Sequence, residues 1–180
     1  MSLLSYNELC ELVAQGVITD VLPGYINSAS IDLTLGNTFI LEEPDKNRVI
    51  DYRKREQMTN RTVTLYNDET LILKPGQFCL AQSRQVFHLP SNISGEYKLK
   101  SSMARIGLEH MNAGWCDAGW NGSVLTLEFK NMLQYQSIAI RPGDSIGQIV
   151  FFRHSEVPTE KSYKVRGRYN GDTTVKGIKE

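Results

Sequence analysis

Short strand-like segments separated by glycine and proline fill most of the 180-residue chain after Gly24. Turn signals such as Lys74-Pro75-Gly76 and Arg141-Pro142-Gly143-Asp144 lie between them. Many short strands at this spacing are typical of an all-β sandwich or barrel-like fold. The predicted strands are Ser30–Leu35, Asn37–Leu41, Arg61–Leu65, Glu69–Leu73, Gln77–Ala81, Gln85–His88, Gly95–Leu99, Ser123–Phe129, Ser137–Ile140 and Ser145–Arg153.

One helix is predicted at the start of the chain. Ser5 can serve as its N-cap, and Glu8, three residues later, completes a capping box. Apolar residues then recur on one helical face as far as Val13, and Gly16 ends the pattern.

The composition excludes several classes of function. The 20 basic and 20 acidic residues cancel, whereas a general nucleic-acid or membrane-surface role needs a strong basic field. No apolar run approaches the roughly 18 residues of a transmembrane span, and the start MSLLSYNEL lacks the pattern of a signal peptide. We therefore expect a cytoplasmic protein with no membrane or nucleic-acid partner.

The cysteines and histidines do not predict a metal site. Cys10, Cys79 and Cys116 are odd in number and too far apart for a disulfide framework. Zinc deaminases carry His-x-Glu followed by Pro-Cys-x-x-Cys, and neither motif occurs here. Folding could still bring Cys116 beside His110 as ligands. Any hydrolytic chemistry here is therefore expected to be metal-free at the reacting carbon.

Glu128 is the residue with the most informative setting. It lies in Val124–Phe129, whose apolar and β-branched residues are typical of a buried strand. A carboxylate there must be paired or functional, because isolation in an apolar setting is costly. Burial also raises the pKa of a glutamate toward the range in which it shuttles protons. From the residues alone, a structural glutamate that satisfies a neighbouring arginine is the favoured interpretation.

Two polar segments lie outside the strand pattern. Residues 42–60 are charged and are expected to form a surface excursion within one domain. The tail from Lys161 is basic and hydrophilic and shows no core-forming pattern. A basic tail with two tyrosines suits closure over an anionic ligand, although a frayed terminus is the ordinary expectation.

Several segments, taken in order, carry a family resemblance. They are Asn27–Gly36, Leu73–Phe78, Lys100–Leu108, Asp117–Gly122, Thr126–Glu128, Arg141–Gly143 and Ile146–Gln148. Each motif alone is weak, but their order and spacing are specific over nearly the whole chain. In these motifs the sequence resembles the dCTP deaminases of the trimeric dUTPase superfamily.

The resemblance implies a mainly β fold, a distorted β-barrel or jelly roll of the dUTPase-like type with an N-terminal helix. It implies a single deaminase domain over residues 1–180, in which about 161–180 form a flexible C-terminal tail closing over the nucleotide. It also implies a homotrimer with active sites between subunits, Mg²⁺ held by the triphosphate and not by protein side chains, and no zinc. The expected reaction is hydrolysis of dCTP, a deoxycytidine nucleotide, to dUTP and ammonia, which supplies a precursor for thymidylate synthesis.

The resemblance also implies roles for individual residues. Glu128 becomes the proton relay, cycling between base and acid. Ser101 and the carbonyl of Ala113 position the water, and Arg105 supports the site, where its guanidinium could hold Glu128 ionised or bind phosphate. The expected nucleotide-binding residues are Lys100, Ser101, Ser102, Arg105, Asp117, Thr126, Leu127, Glu128, Tyr163, Arg168 and Tyr169.

Without the resemblance, ordinary structural roles would be preferred for most of these residues. Ser101 and Ser102 would be turn formers, and Asp117 would be a turn aspartate before glycine. Arg105 would belong to a surface salt bridge.

Two departures from the family pattern leave the substrate and its control open. Asp172 stands where glutamine is common, and an acidic group near phosphates repels them. The loop Gly107–Ala113 is one residue shorter than usual, and one residue is regained inside Ser123–Leu127. That loop carries inhibition by dTTP in regulated relatives. Feedback control, further hydrolysis of dUTP and a dCMP substrate, alone or beside dCTP, all remain open.

Two rival functions remain. The nearest is a dUTPase, or a bifunctional dCTP deaminase and dUTP pyrophosphatase; Glu128 argues against a pure dUTPase, because phosphoanhydride hydrolysis needs no carboxyl at the base. The rival from another class is a non-catalytic nucleotide-binding module. The combination of Ser101, Arg105 and Glu128 argues against that module.

Overall fold

The computed structural model describes residues 1–66 and 68–179. Over these residues the chain is mainly β, with one helix of nine residues and two shorter ones. In chain order the elements are β1 (Ser2–Leu3), α1 (Tyr6–Ala14), β2 (Ile31–Thr34), β3 (Thr38–Glu42), β4 (Asn60–Thr64), β5 (Leu71–Leu73), β6 (Phe78–His88), β7 (Ile93–Leu99), α2 (Ser101–Arg105), β8 (Leu108–Glu109), β9 (Trp115–Cys116), β10 (Asn121–Asn131), β11 (Ile138–Ile140), β12 (Ser145–Arg153) and α3 (Tyr163–Arg166).

The described strands form two five-stranded antiparallel sheets and one separate pair. In the first sheet β1, β12, β7 and β9 are neighbours in that order, and β2 also pairs with β12. The second sheet has the order β4-β3-β6-β10-β8, and β11 pairs with β5. Fully buried rings from both sheets fill the core, among them Phe39, Phe87, Phe129 and Phe151. The predicted fold class is confirmed; the sheets do not close into one regular barrel.

The predicted N-terminal helix is confirmed, together with its cap. The Ser5 amide donates to the Glu8 carboxylate at 2.9 Å, and the Ser5 hydroxyl donates to the same oxygen at 2.8 Å. Leu9 and Leu12 are buried, and Gly16, at φ +72°, follows the end of the helix.

One predicted division between strands is wrong. The sequence predicts Gln77–Ala81 and Gln85–His88 as two strands, but the single strand β6 runs from Phe78 to His88. The intervening polar residues are used inside the sheet. At an irregularity in the β6–β10 pairing, the Leu125 amide donates to the Ser83 hydroxyl at 2.8 Å, and that hydroxyl donates to the Gln85 carbonyl at 2.8 Å. A side chain thereby replaces a missing backbone partner.

Strand β10 decides which side chains face away from the core. Leu125, Leu127 and Phe129 are buried, whereas Thr126 and Glu128 between them are half-buried. Side chains alternate between the two faces of a strand, so the apolar set enters the core and Glu128 is presented on the opposite face.

The tail packs along the start of β10. The Gly171 amide donates to the Asn121 carbonyl at 3.0 Å, and the Val124 amide donates to the Asp172 carbonyl at 2.9 Å. Val175 is 4% exposed. From the segment 42–60, the Gln57 side-chain amide donates to the Ile178 carbonyl at 3.1 Å. The surface segment and the tail therefore contact each other.

None of the described helices has the length and hydropathy needed to span a bilayer.

Candidate active site

A cavity of about 350 Å³ lies between the outward face of β10 and the tail. Its wall is built from four parts of the chain that the fold brings together: β10, Leu80 of β6, the segment around β9, and the region from α3 to the tail. Six of the predicted site residues line it: Ala113, Asp117, Thr126, Glu128, Tyr163 and Tyr169.

Two other predicted residues near the cavity are placed differently. Leu127 is fully buried on the core face of β10. The Arg168 side chain is exposed and lies outside the cavity wall, although its carbonyl accepts a hydrogen bond from the Lys179 ammonium at 2.9 Å.

The four remaining predicted residues lie away from the cavity of their own chain. Ser101, Ser102 and Arg105 are on α2, where they are exposed. The Lys100 ammonium forms an ion pair with Asp32 and donates to the Ser145 hydroxyl at 3.0 Å. One chain therefore brings together only part of the predicted site, and the rest stands on an exposed helix.

The Glu128 carboxyl is mostly buried, with 26% of the side chain exposed. Burial raises its pKa from the usual value to about 7, because the charged form loses hydration. Among the described residues, no lysine or arginine lies within ion-pair distance of it. The interpretation of Glu128 as one half of a structural pair with an arginine therefore finds no support within the chain.

His110 is the neighbour of Glu128 that sequence reasoning missed as a site residue, having considered it only as a zinc ligand. Its Nε2 lies 3.6 Å from Glu128 Oε2. The imidazole is 4% exposed, and burial lowers its pKa to about 4, so the ring is neutral at pH 7. In the sequence, the one feature that could have indicated His110 as a site residue is its position in the shortened loop, three residues before Ala113.

The tail brings both charges and aromatic groups to the cavity. Asp172 and Lys176 line the wall. Asp172 lies 2.7 Å from the Lys179 ammonium, which also sits 5.3 Å from the centre of the Tyr169 ring. The repulsion of phosphate that Asp172 was expected to cause is therefore offset by a paired cation.

The end of the tail forms a partition. Gly177 and Ile178, with Leu80 from β6, line this cavity and also a second one of about 220 Å³. The opposite wall of the second cavity belongs to the segment 42–60 and includes Ile50 and Tyr52.

Potential metal ligands are dispersed in the described part of the chain. No group of three or more histidine, cysteine, aspartate or glutamate side chains is placed there to hold a metal ion. Cys79 and Cys116 are buried, and burial raises the pKa of each thiol to about 12.

Comparison with known proteins gives matches over most of the chain. Residues 3–154 match the family model described as dCTP deaminase-like. A Methanosphaerula palustris protein named "dCTP deaminase, dUMP-forming" is 38% identical over 150 residues, which cover 83% of this chain and 78% of that protein. One of the same name from Acidothermus cellulolyticus is 37% identical over 164 residues, covering 89% of this chain and 84% of that protein.

A solved structure shares the fold. The crystal structure of a 2'-deoxycytidine 5'-triphosphate deaminase from Agrobacterium tumefaciens matches with a TM-score of 0.66 at 24% identity. The match covers 84% of this chain but 48% of that one, so this chain spans about half the length of the solved protein.

Fold and cavity together define a mainly β protein with a mostly buried carboxyl at its cavity, and this fold is shared with the solved deaminase structure. The family match and the sequence relatives are more specific: the chain belongs to the dCTP deaminase-like family. The resemblance seen in the motifs is thereby confirmed.

The raised pKa of Glu128 predicts a pH-dependent stability. Because the folded-state pKa of about 7 lies above the usual value, the unfolded chain releases this proton first. The stability contributed by the protonated Glu128 carboxyl is therefore fully present below the pKa of the unfolded chain and is lost as the pH rises through about 7. E128Q removes the titrating group. The unfolding free energy of E128Q minus that of wild type should therefore rise by about 2 kcal/mol from roughly pH 5 to pH 8.

Urea unfolding of both proteins at matched concentration measures this difference. E11Q, which changes an exposed glutamate on α1, is the control and should follow wild type. A difference between E128Q and wild type that stays constant with pH would contradict the assigned pKa.

Proposed function

We propose that this chain is a zinc-independent hydrolytic dCTP deaminase in which Glu128 relays the protons. The observation that carries the proposal is a mostly buried carboxyl of pKa about 7 that faces a cavity and has no lysine or arginine partner among the described residues. A general acid and base works best when its pKa lies near the operating pH. The names of the relatives support dCTP as the substrate.

The proposed reaction moves two protons in turn, and Glu128 accepts and then donates each of them. The ionised Glu128 carboxylate accepts a proton from water as the water oxygen bonds to C4 of cytosine, and the carboxyl then gives that proton to N3. Next, Glu128 moves the remaining hydroxyl proton to the amino nitrogen. Ammonia leaves as the C4 carbonyl forms, so dCTP and water yield dUTP and ammonia, and Glu128 returns to its starting state.

The exposed helix α2 is proposed to complete the cavity of another copy in a homotrimer. Ser101 and the Ala113 carbonyl would then hold the attacking water, while Lys100, Ser102 and Arg105 would bind the nucleotide. Supporting this, α2 is exposed and large apolar side chains stand uncovered after it, with Ile106 47% and Met111 53% exposed. Apolar exposure of this kind marks subunit contacts.

The remaining nucleotide contacts are proposed within the chain. Thr126, Leu127 and Asp117 would contact base and sugar, Leu127 through its backbone because its side chain is in the core. Tyr163, Arg168, Tyr169 and the unanticipated Lys176 would meet the triphosphate. Mg²⁺ would arrive bound to the triphosphate as part of the substrate.

We also propose that dUTP is hydrolysed further to dUMP and pyrophosphate. This bifunctional alternative is preferred to release of dUTP because the relatives are named dUMP-forming. No feature of the cavity favours dCMP as the substrate.

The tail is proposed to close over the nucleotide as part of a single domain over 1–180. Its anchor is Gln82 on β6, whose side-chain oxygen accepts from the Val175 amide at 2.7 Å and from the Thr174 hydroxyl at 3.0 Å. The buried Val175 side chain adds apolar contact. Closure of this kind excludes water and fixes the ligand.

The first prediction concerns activity. Purified protein with Mg²⁺ should release ammonia from dCTP, followed by pyrophosphate, and E128Q should lose ammonia release by at least about a thousandfold while still binding dCTP, because no other group carries the protons. Ammonia and pyrophosphate are assayed separately on dCTP, dUTP and dCMP. Pyrophosphate from dUTP without ammonia from dCTP would favour the dUTPase, and no turnover at all would favour a binding module.

The second prediction tests the shared site. E128Q and R105A should each be nearly inactive alone. Mixed trimers formed from equal amounts should regain about a quarter of wild-type activity, because that fraction of sites combines an intact Glu128 with an intact Arg105 from the neighbour. Mixtures as inactive as the separate variants would place the whole site within one chain.

The third prediction tests the tail. V175A should raise KM for dCTP roughly fivefold with kcat within about twofold, because the lost apolar contact weakens closure before chemistry begins. T173A, an exposed position in the same tail, should match wild type. Equal KM values for V175A and wild type would show that the anchored tail does not take part in binding.

A further inference from the structure

Two buried polar atoms face each other beneath the cavity. Glu128 Oε2 and His110 Nε2 are 3.6 Å apart, and neither has a hydrogen-bond partner among the described residues. Unpartnered buried polar atoms are rare because each one forfeits its hydration. A shift of about 0.5 Å would bring this pair within hydrogen-bond distance.

The imidazole cannot move away from Glu128. It lies between two rings, with centroid distances of 4.3 Å to Tyr97 and 5.9 Å to Phe129. The Tyr97 ring is itself held in place, because it occupies the space that a Cβ at Gly147 would take. The tilted contact with Tyr97 and the edge-on contact with Phe129 therefore hold His110 in place, and the carboxyl group is the more movable partner.

The local backbone separates the position of His110 from that of Ala113. Met111 and Asn112 both have left-handed backbone angles, with φ of 59° and 56°. This conformation is uncommon outside glycine and reverses the chain locally. His110 thereby stays buried behind Glu128, whereas Ala113, three residues later, reaches the cavity wall.

The charges around the pair leave the imidazole neutral. From β7 the buried Tyr97 hydroxyl faces Glu128, and burial raises the pKa of that hydroxyl, so it remains uncharged. From β8 Glu109 lies beside His110, where its charge partly opposes the lowering of the pKa of His110 by burial. The remaining titratable groups lie on the cavity side: Asp117, Tyr163, Tyr169, Asp172 and Lys176.

We propose that His110 is a positioning residue for Glu128, its Nε2–H donating a hydrogen bond to the carboxylate and fixing the orientation in which Glu128 takes a proton from water. The inference rests on the proposed function of Glu128 and adds a residue to it. His110 does not line the cavity, so it acts through the carboxyl and does not touch the substrate.

This arrangement has two consequences for the chemistry. A single N–H donor leaves the other carboxylate oxygen directed at the water, which removes rotational freedom before the reaction. A hydrogen bond to the ionised carboxylate also lowers the pKa of Glu128 relative to a site with burial alone. The hydrogen bond therefore favours the ionised form of Glu128 that accepts the proton from water.

Replacement of His110 by an apolar ring and by an amide separates these effects. H110F keeps an aromatic ring but has no donor, so kcat for ammonia release should fall about tenfold, with KM changed less than about threefold. The acid limb of the pH profile of kcat should move to higher pH by roughly half a unit or more, because the carboxylate loses its donor. H110Q retains an N–H donor and should recover kcat to within about threefold of wild type, with the acid limb restored.

A matched control is H154Q. His154 contacts Ser94 at 2.9 Å, away from the cavity wall, and H154Q should retain the wild-type rate and pH profile. Near-ultraviolet circular dichroism and thermal unfolding report whether each variant is folded. Should H110F fail to fold, the smaller H110L replaces it as the variant without a donor.

Three results would overturn the proposal. The first is a folded H110F or H110L with wild-type kcat and an unmoved acid limb. The second is an H110Q protein that is as slow as the apolar variant. The third, decisive if neither apolar variant folds, is an acid limb of H110Q displaced from that of wild type.

Failure of the underlying function gives a different result. In that case wild type releases no ammonia from dCTP, or E128Q retains the activity, whatever the His110 variants do.

Discussion

The burial of one carboxyl group on the outward face of β10 is the constraint on which the site depends. The alternation of that strand sends Leu127 and Phe129 into the core and leaves Glu128 facing the cavity. The core cannot be packed without presenting the carboxyl, because a shift of one residue would exchange the two faces. Desolvation then raises the pKa of Glu128 to about 7, so packing and chemistry have the same origin.

The sequence predicted the fold well where apolar periodicity was strong and poorly where elements were short. The capped α1 and the long strand β12 were recovered, β12 with its bounds. β8, β9 and α2, of two to five residues, escaped prediction because so few residues carry no periodic signal. The prediction of two strands in place of β6 was wrong because polar residues usually end a strand. Here the Ser83 hydroxyl instead completes the hydrogen bonding of the ladder.

Half of the predicted site residues lie at one cavity, and the different placement of the other half was not predictable from the sequence. Motif order pointed to Glu128, Asp117 and Tyr163, and all three line one cavity. The separation of α2 from that cavity depends on how sheets are placed in three dimensions, which no local pattern reports. His110 was missed for a related reason: a lone histidine in a loop gives no sign of the tilted tyrosine ring and the buried carboxyl that it contacts in the fold.

The partition made by Gly177 and Ile178 connects the surface segment 42–60 to the cavity that Glu128 lines. One side of this partition faces the cavity that Glu128 lines, and the other side faces side chains of the segment 42–60. Surface segments accept substitutions readily during evolution. Substitutions in the segment 42–60 can therefore change the shape of the cavity from outside, while every residue of the cavity wall stays the same.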